Sequence, residues 1–206
     1  MVERGHEVVI VDDDPSVRVA FERQIRLMGH QAKSFEDPTE ALSAIRAGAG
    51  CCVIVDLCMP TMSGLQLQNE LTELGRPLPL IFVSGQGTVQ SSVRAVLDGA
   101  LDFLEKPVEF DVLKDAISKA LSSWNSLTRA QSEHMAAVER FSRLTQRQEE
   151  VFRILISGAS NKEIARRLDI SERTVKFHVS SMLGKLQVGN RTEAVVVAAE
   201  QGIIHI

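Results

Sequence analysis

The sequence predicts an α/β protein: a doubly wound, five-stranded parallel sheet followed by a small all-α domain of four helices. Three observations carry this. Short apolar runs alternate five times with segments of helical period in the first 122 residues. The runs show no polar alternation, as expected of strands covered on both faces. From Leu144 onward the apolar spacing is helical only. Strand and helix in strict alternation imply parallel strands with helices on both sides.

The strand-like runs are EVVIV (7–11), AKSF (32–35), CCVIV (51–55), PLIFV (79–83) and LDFL (101–104). After the first, Asp14 and Pro15 give a helix start, an N-cap carboxylate followed by proline at the first helical position. Val17, Phe21 and Ile25 then recur at four-residue steps, and Gly29 ends the segment. DPTEALSAIRAG repeats the Asp-Pro start and the glycine stop. SGLQLQNELTELG and GTVQSSVRAVLDG follow the same rule, and VEFDVLKDAISKAL closes the unit. Five such units most often take the order 2-1-3-4-5, the flavodoxin-like arrangement. It makes the first and third strands neighbours and puts the ligand crevice at their carboxyl ends. Asp12 and Asp13 end the first strand and Asp56 ends the third, so three carboxylates are expected to meet there.

Residues 122–143 hold no glycine or proline. Trp124, Leu127, His134, Val138 and Phe141 recur there at helical steps, and Ala120, Ile117 and Leu113 continue the stripe backwards. One long helix is expected to leave the first domain, as a lever or dimer seam. A flexible, partly helical linker is the other reading of so weakly apolar a stripe. Four capped helices come next. Thr145 and Gln148 form a capping box, Ser160 and Ser171 are caps, and Asn190 with Glu193 forms a second box. The middle pair is joined by the tight turn Asp169–Ile170–Ser171, a helix-turn-helix layout. The boundaries are thus 1–122, a helical linker over 123–141, and 142–206.

The net charge of −4 is unevenly spread. Residues 142–206 hold ten Lys/Arg and seven Asp/Glu, a net of +3, and the remainder holds 13 and 20, a net of −7. Two modules with different partners are expected, one of them a polyanion. No apolar run nears the ~20 residues that span a bilayer, and MVERGHE opens no signal pattern, so a cytoplasmic protein without membrane contact is expected. Cys51, Cys52 and Cys58 lack zinc-ligand spacing and are expected to be reduced thiols.

A bare acidic pair in a turn can be loop solvation. Three clustered carboxylates cannot all stay ionised without compensation, and an oxygen-loving dication such as Mg²⁺ would supply it. Lys106, just past the fifth strand, and Ser84, just past the fourth, are placed at the same rim. Carboxylates, a hydroxyl and an ammonium together make a phosphoryl-transfer set with one carboxylate as nucleophile. SGQGTV lacks the pattern of a nucleotide-binding loop.

The motifs IVDDDPSVR, VDLCMPTMSG, FVSGQG and FLEKP resemble those of the CheY-like receiver domain of two-component response regulators, over roughly residues 5–122. The resemblance implies that Asp56 accepts a phosphoryl group from a sensor histidine kinase. It implies Mg²⁺ held by Asp12, Asp13, Asp56 and the backbone carbonyl of Cys58. Ser84 and Lys106 would bind phosphoryl oxygens, Phe103 would stand at the aromatic switch position, and the peptide before Pro107 would be cis. Phe103 as an ordinary core aromatic is the competing reading; a phenylalanine there cannot donate the hydrogen bond of a tyrosine.

In the second domain, Ser171–Leu186 is the expected recognition helix. Val175, Val179, Met182, Leu183 and Leu186 form its apolar side, and Lys176, Phe177, Ser180 and Ser181 face outward, with His178 at the edge. Lys176 can reach guanine O6/N7 and Phe177 a thymine methyl. Asn161, Lys162, Arg166, Arg173, Thr174 and Lys185 are candidate phosphate contacts, and Ser171 adds a helix N-terminus. Residues 142–204 resemble the LuxR-type helix-turn-helix, and the two modules in this order resemble the NarL/FixJ class. The expected function is a phosphorylation-gated transcriptional regulator. Its partners would be promoter DNA, a sensor kinase, a second copy and RNA polymerase. Its only chemistry would be Mg²⁺-dependent self-phosphorylation and self-dephosphorylation. A haloacid-dehalogenase-like phosphotransferase is the enzyme alternative, but such enzymes usually carry a D-x-D nucleophile on the first strand. A receiver with an RNA- or protein-binding output is the other.

Overall fold

The computed structural model describes residues 5–75, 78–85 and 99–204. Gln86 and the helical segment expected over 87–99 lie outside the described residues, apart from Gly99. The chain divides into two compact units, Met1–Thr128 and Arg129–Ile206.

The first unit is built on a parallel sheet in the order β2-β1-β3-β4-β5, with β1 Glu7–Val11, β2 Gln31–Phe35, β3 Cys52–Asp56, β4 Leu80–Ser84 and β5 Asp102–Glu105. Three strands begin one residue later than the apolar runs suggest and one begins earlier, because ladder partners and not hydropathy fix where pairing starts. Helices α1 (Pro15–Leu27), α2 (Pro38–Arg46) and α3 (Gly64–Glu73) connect them. Alternate strand residues serve opposite faces. Val8, Ile10, Ile54 and Ile81 pack with Phe21 and Ile25 of α1 and with Leu113 and Ile117. Val9, Val11, Val53 and Phe82 pack with Ile45 of α2 and Leu67 of α3. Both Asp-Pro starts cap as the sequence implies: Asp14 accepts the Ser16 N–H at 2.8 Å and Asp37 the Thr39 N–H at 2.7 Å. Cys51 and Cys52 are buried, and burial pushes the Cys51 thiol up to about 11 and Cys52 up as well; Cys58 is exposed.

Helix α4 runs unbroken over Phe110–Ser142 and contains all of 123–141. In the second unit, α5 (Gln146–Leu155), α6 (Asn161–Leu168), α7 (Glu172–Leu186) and α8 (Arg191–Glu200) enclose a core of Val151, Leu155, Ile164, Val175, Met182 and Ala194. Thr145–Gln148 is a reciprocal capping box, and so is Ser160–Glu163. The box expected at Asn190 closes on one side only: Asn190 accepts the Glu193 N–H, but Glu193 accepts from Gly189. Between α6 and α7, Asp169 adopts the left-handed conformation (φ 50°), which aspartate tolerates better than most side chains. Among the described residues no helix is long and apolar enough to cross a membrane.

At the end of β1 remote from the acidic turn, the His6 and His30 rings meet edge to face at 5.9 Å, and His6 Nε2 lies 3.2 Å from Asn125 Oδ1. His30 Nδ1 is buried without a hydrogen-bond partner. Burial, and then the His6 charge, hold the His30 pKa below the usual 6.5. A depressed histidine takes up its proton more readily in the unfolded chain, so its contribution is complete above the ordinary value and is lost as pH falls through it. Thermal midpoints measured from about pH 7.5 to about pH 5.5 should therefore fall further for the wild type than for His30→Gln; parallel declines would show that His30 carries no such penalty.

Candidate functional site: an acidic crevice and a basic helix face

The strand register places the acidic residues. Val11 pairs with Val55, so Asp12 and Asp56 stand side by side one position further on. Asp56 pairs with Val83, and Ser84 pairs with Glu105, which puts Lys106 at the same rim. Lys106 Nζ donates to Asp12 Oδ2 at 2.7 Å and to Asp56 Oδ1 at 2.6 Å. The second oxygen of Asp56 accepts the Cys58 backbone N–H at 2.6 Å, and Asp12 Oδ1 accepts the Asp14 N–H at 3.0 Å. Asp12, Asp56 and Ser84 are buried, Asp13 is exposed and Lys106 half-buried. The Lys106–Pro107 peptide is cis.

One ammonium thus faces two buried carboxylates. Burial raises the Asp12 pKa despite the hydrogen bond and charge of Lys106. Burial also opposes the Lys106 charge, but hydrogen bonds to Asp12 and Asp56 and their charges outweigh it, and the lysine pKa is raised. Two carboxylates face one ammonium, so negative charge exceeds positive, and Asp13, next in the chain, is exposed. The donors are hard carboxylate oxygens, which fits a small dication holding several of its own waters. Among the described residues no three of His, Cys, Asp and Glu converge as a ready metal cage; the ammonium stands between two of the carboxylates.

Helix α3 starts close against this crevice. A Cβ at Gly64 would stand 2.5 Å from the Asp56 carbonyl oxygen and 2.8 Å from Phe82 Cε1, so only glycine lets the helix approach. Phe82 stacks on Phe103 at 6.5 Å between centroids, and Phe103 is half-buried, part core and part surface.

Sequence reasoning missed Arg18. From the first turn of α1 its guanidinium donates to the Asp12 carbonyl oxygen at 2.7 Å and pairs with Glu36 at 3.3 Å. Its position beside an exposed Val19 resembles that of any solvated helix arginine, and nothing in the spacing marks it.

In the second unit α7 presents the expected outward face. Lys176, Phe177 and Ser180 are exposed, with Phe177 69% exposed and edge to face with His178 at 5.8 Å. Ser171, Arg173 and Lys162 are exposed beside them, whereas Thr174 and Asn161 are half-buried. Ser171 Oγ accepts the Thr174 N–H. Two expected contacts are turned inward instead. Ser181 Oγ accepts from Gln148 Nε2 at 3.1 Å. Lys185 Nζ donates to the Arg143 carbonyl at 2.9 Å and to Gln148 Oε1 at 2.8 Å. The buried Gln148, read from sequence only as a cap, is therefore also a bridge between α5 and α7.

Residues 8–118 match the family model of the response regulator receiver domain, and residues 142–198 match that of the bacterial regulatory proteins of the luxR family. The response regulator protein TmoT of Ectopseudomonas mendocina is 36% identical over 201 residues, 96% of this chain and 90% of that protein. The transcriptional regulatory protein FixJ of Bradyrhizobium diazoefficiens is 31% identical over the full length of both chains. Among solved structures, the response regulator StyR is 34% identical with a TM-score of 0.84, covering 95% of this chain and 100% of that one. Full-length FixJ from B. japonicum is 30% identical with a TM-score of 0.59, covering 98% and 100%.

The inward bonds of Lys185 have a measurable consequence. Lys185→Met should destabilise the second unit by about 1–2 kcal/mol in denaturant unfolding. The slope of log DNA affinity against log salt should stay as in the wild type; a slope shallower by about one would return Lys185 to the phosphate contacts.

Proposed function

The chain belongs to the two-component response regulators that join a receiver domain to a LuxR-type helix-turn-helix, and on that premise we propose that Asp56 is its phosphoryl acceptor. Such a chain regulates transcription: its receiver takes its signal from a histidine kinase and its second domain binds DNA. The observation that carries the assignment of Asp56 is its setting. It is a buried carboxylate with one oxygen on an ammonium and the other on a backbone N–H, beside a second buried acid.

A carboxylate oxygen of Asp56 would form the new O–P bond as the N–P bond of a kinase phosphohistidine breaks, the electron pair staying on the imidazole. Lys106 would pass from Asp56 to a phosphoryl oxygen, keeping a positive charge where negative charge builds up. Ser84 would donate its hydroxyl to another. Asp12, Asp13, Asp56 and the Cys58 carbonyl would hold Mg²⁺, and the bound cation would neutralise charge on the transferring group. No turnover of an outside substrate is assigned; the chemistry is self-phosphorylation and self-dephosphorylation in the presence of Mg²⁺.

The output is a population shift driven by local charge. Ser84 drawn inward would open room for Phe103, whose ring already rests on Phe82. The β5 face would repack, promoting dimerisation, release of the DNA-binding domain, or both. A dimer would set two α7 helices about one DNA turn, or ~34 Å, apart on a promoter operator, with RNA polymerase as a further partner. Lys176, Phe177 and Ser180 would face the bases, with Arg173, Lys162, Thr174, Asn161 and the N-terminus of α7 at Ser171 along the backbone.

Acetyl phosphate should raise dimerisation or operator affinity of the wild type, and Asp56→Asn should abolish that gain in sedimentation and gel-shift assays. An undiminished gain would refute the gate. Lys176→Ala should cost about 1–3 kcal/mol at one half-site position and relax its base preference. A uniform loss across operators would make Lys176 a phosphate contact.

A further inference from the structure

We infer that Arg18 is a positioning residue for the cation site, acting through the Asp12–Asp13 peptide; the inference rests on the reading of the crevice as a magnesium-dependent acceptor site. Each polar group of Asp12 has its own tether. The N–H donates to the Phe35 carbonyl at 3.2 Å, Oδ1 accepts from Asp14 and Oδ2 from Lys106. The carbonyl oxygen is held by Arg18 at 2.7 Å. A peptide unit is planar, so holding that oxygen fixes the plane whose far side is the Asp13 nitrogen. Asp13 is exposed and follows that plane.

Arg18 is suited to this task. Its side chain is only 15% exposed, and its other terminal nitrogen pairs with Glu36 just past β2. The guanidinium thus spans from α1 over the acidic turn to the neighbouring strand's end. Glu36 offsets its charge, so it can orient the acidic turn without strongly repelling a cation. Its planar fork holds its two donors in a fixed relative geometry, whereas the donors of a lysine ammonium rotate.

Charge and geometry predict opposite signs. If Arg18 acted only as a nearby positive charge, removing it would tighten magnesium binding. If it positions the turn, removing it weakens binding, and loss of an outer-shell partner typically costs about 10–100-fold in metal affinity.

The test titrates the full chain with magnesium chloride, without phosphoryl donor, following ¹⁵N chemical shifts. Arg18→Gln, with its thermal midpoint recorded alongside, should raise the magnesium Kd about tenfold or more. Glu36→Gln, which leaves the carbonyl bond in place, should raise it less. Acetyl-phosphate labelling of Asp56, followed by intact mass, should need correspondingly more magnesium in Arg18→Gln and return to near the wild-type rate at saturation. A Kd for Arg18→Gln that is unchanged within twofold, or tighter, overturns the inference. Should that variant fail to fold, Arg18→Met, which has no donor for the carbonyl, takes its place under the same criterion. A wild type that binds magnesium with the expected Arg18 dependence but is never labelled at Asp56 would overturn the acceptor assignment and leave the role of Arg18 standing. A wild type that binds no magnesium overturns both.

Discussion

The placement of one ammonium between two buried carboxylates governs the first unit. Lys106 meets Asp12 and Asp56 at 2.7 and 2.6 Å, and each of the three comes from the end of a different strand. Burying such charges costs several kcal/mol per ion unless they are paired and hydrogen-bonded. The surroundings are arranged to that end: the Cys58 and Asp14 N–H groups take the remaining carboxylate oxygens. Burial still raises the Asp12 pKa despite its hydrogen bonds to Lys106 and Asp14.

The sheet supplies the precision. The 2-1-3-4-5 order brings β1 and β3 together, and the register sets Asp12 beside Asp56 with no slack. Gly64 then lets α3 begin almost in contact with the Asp56 backbone. Phe82 meets the Gly64 position with one edge and Phe103 with its face. A disturbance at Asp56 therefore has a packed route to β5 that needs no loop.

Much of this was legible in the chain. Asp14–Pro15 and Asp37–Pro38 fixed two helix starts, because capping is local chemistry that no distant contact overrides. Unbroken apolar runs implied a doubly covered parallel sheet, and its topology and register bring Asp12, Asp56, Ser84 and Lys106 to one rim, with Asp13 exposed beside them. What escaped depends on reach. Arg18, Lys185 and Ser181 lie on helix surfaces by periodicity, yet their side chains bond groups far away in sequence. Hydrophobic spacing reports which way a Cβ points and not where a long flexible side chain ends. Gln148 shows the same limit: its role as a cap is read from its neighbours three residues away, but its bridge to Ser181 and Lys185 spans more than thirty.

The different settings of the three cysteines make the crevice open to selective chemistry. Cys51 and Cys52 are enclosed, and their thiolates are suppressed by burial, whereas Cys58 is exposed two residues from Asp56 and donates its backbone N–H to that carboxylate. An alkylating reagent that reacts with thiols meets one exposed cysteine. A fluorophore attached there would sit at the mouth of the crevice with no engineered mutation, and its emission would report ligand arrival at the carboxylates directly.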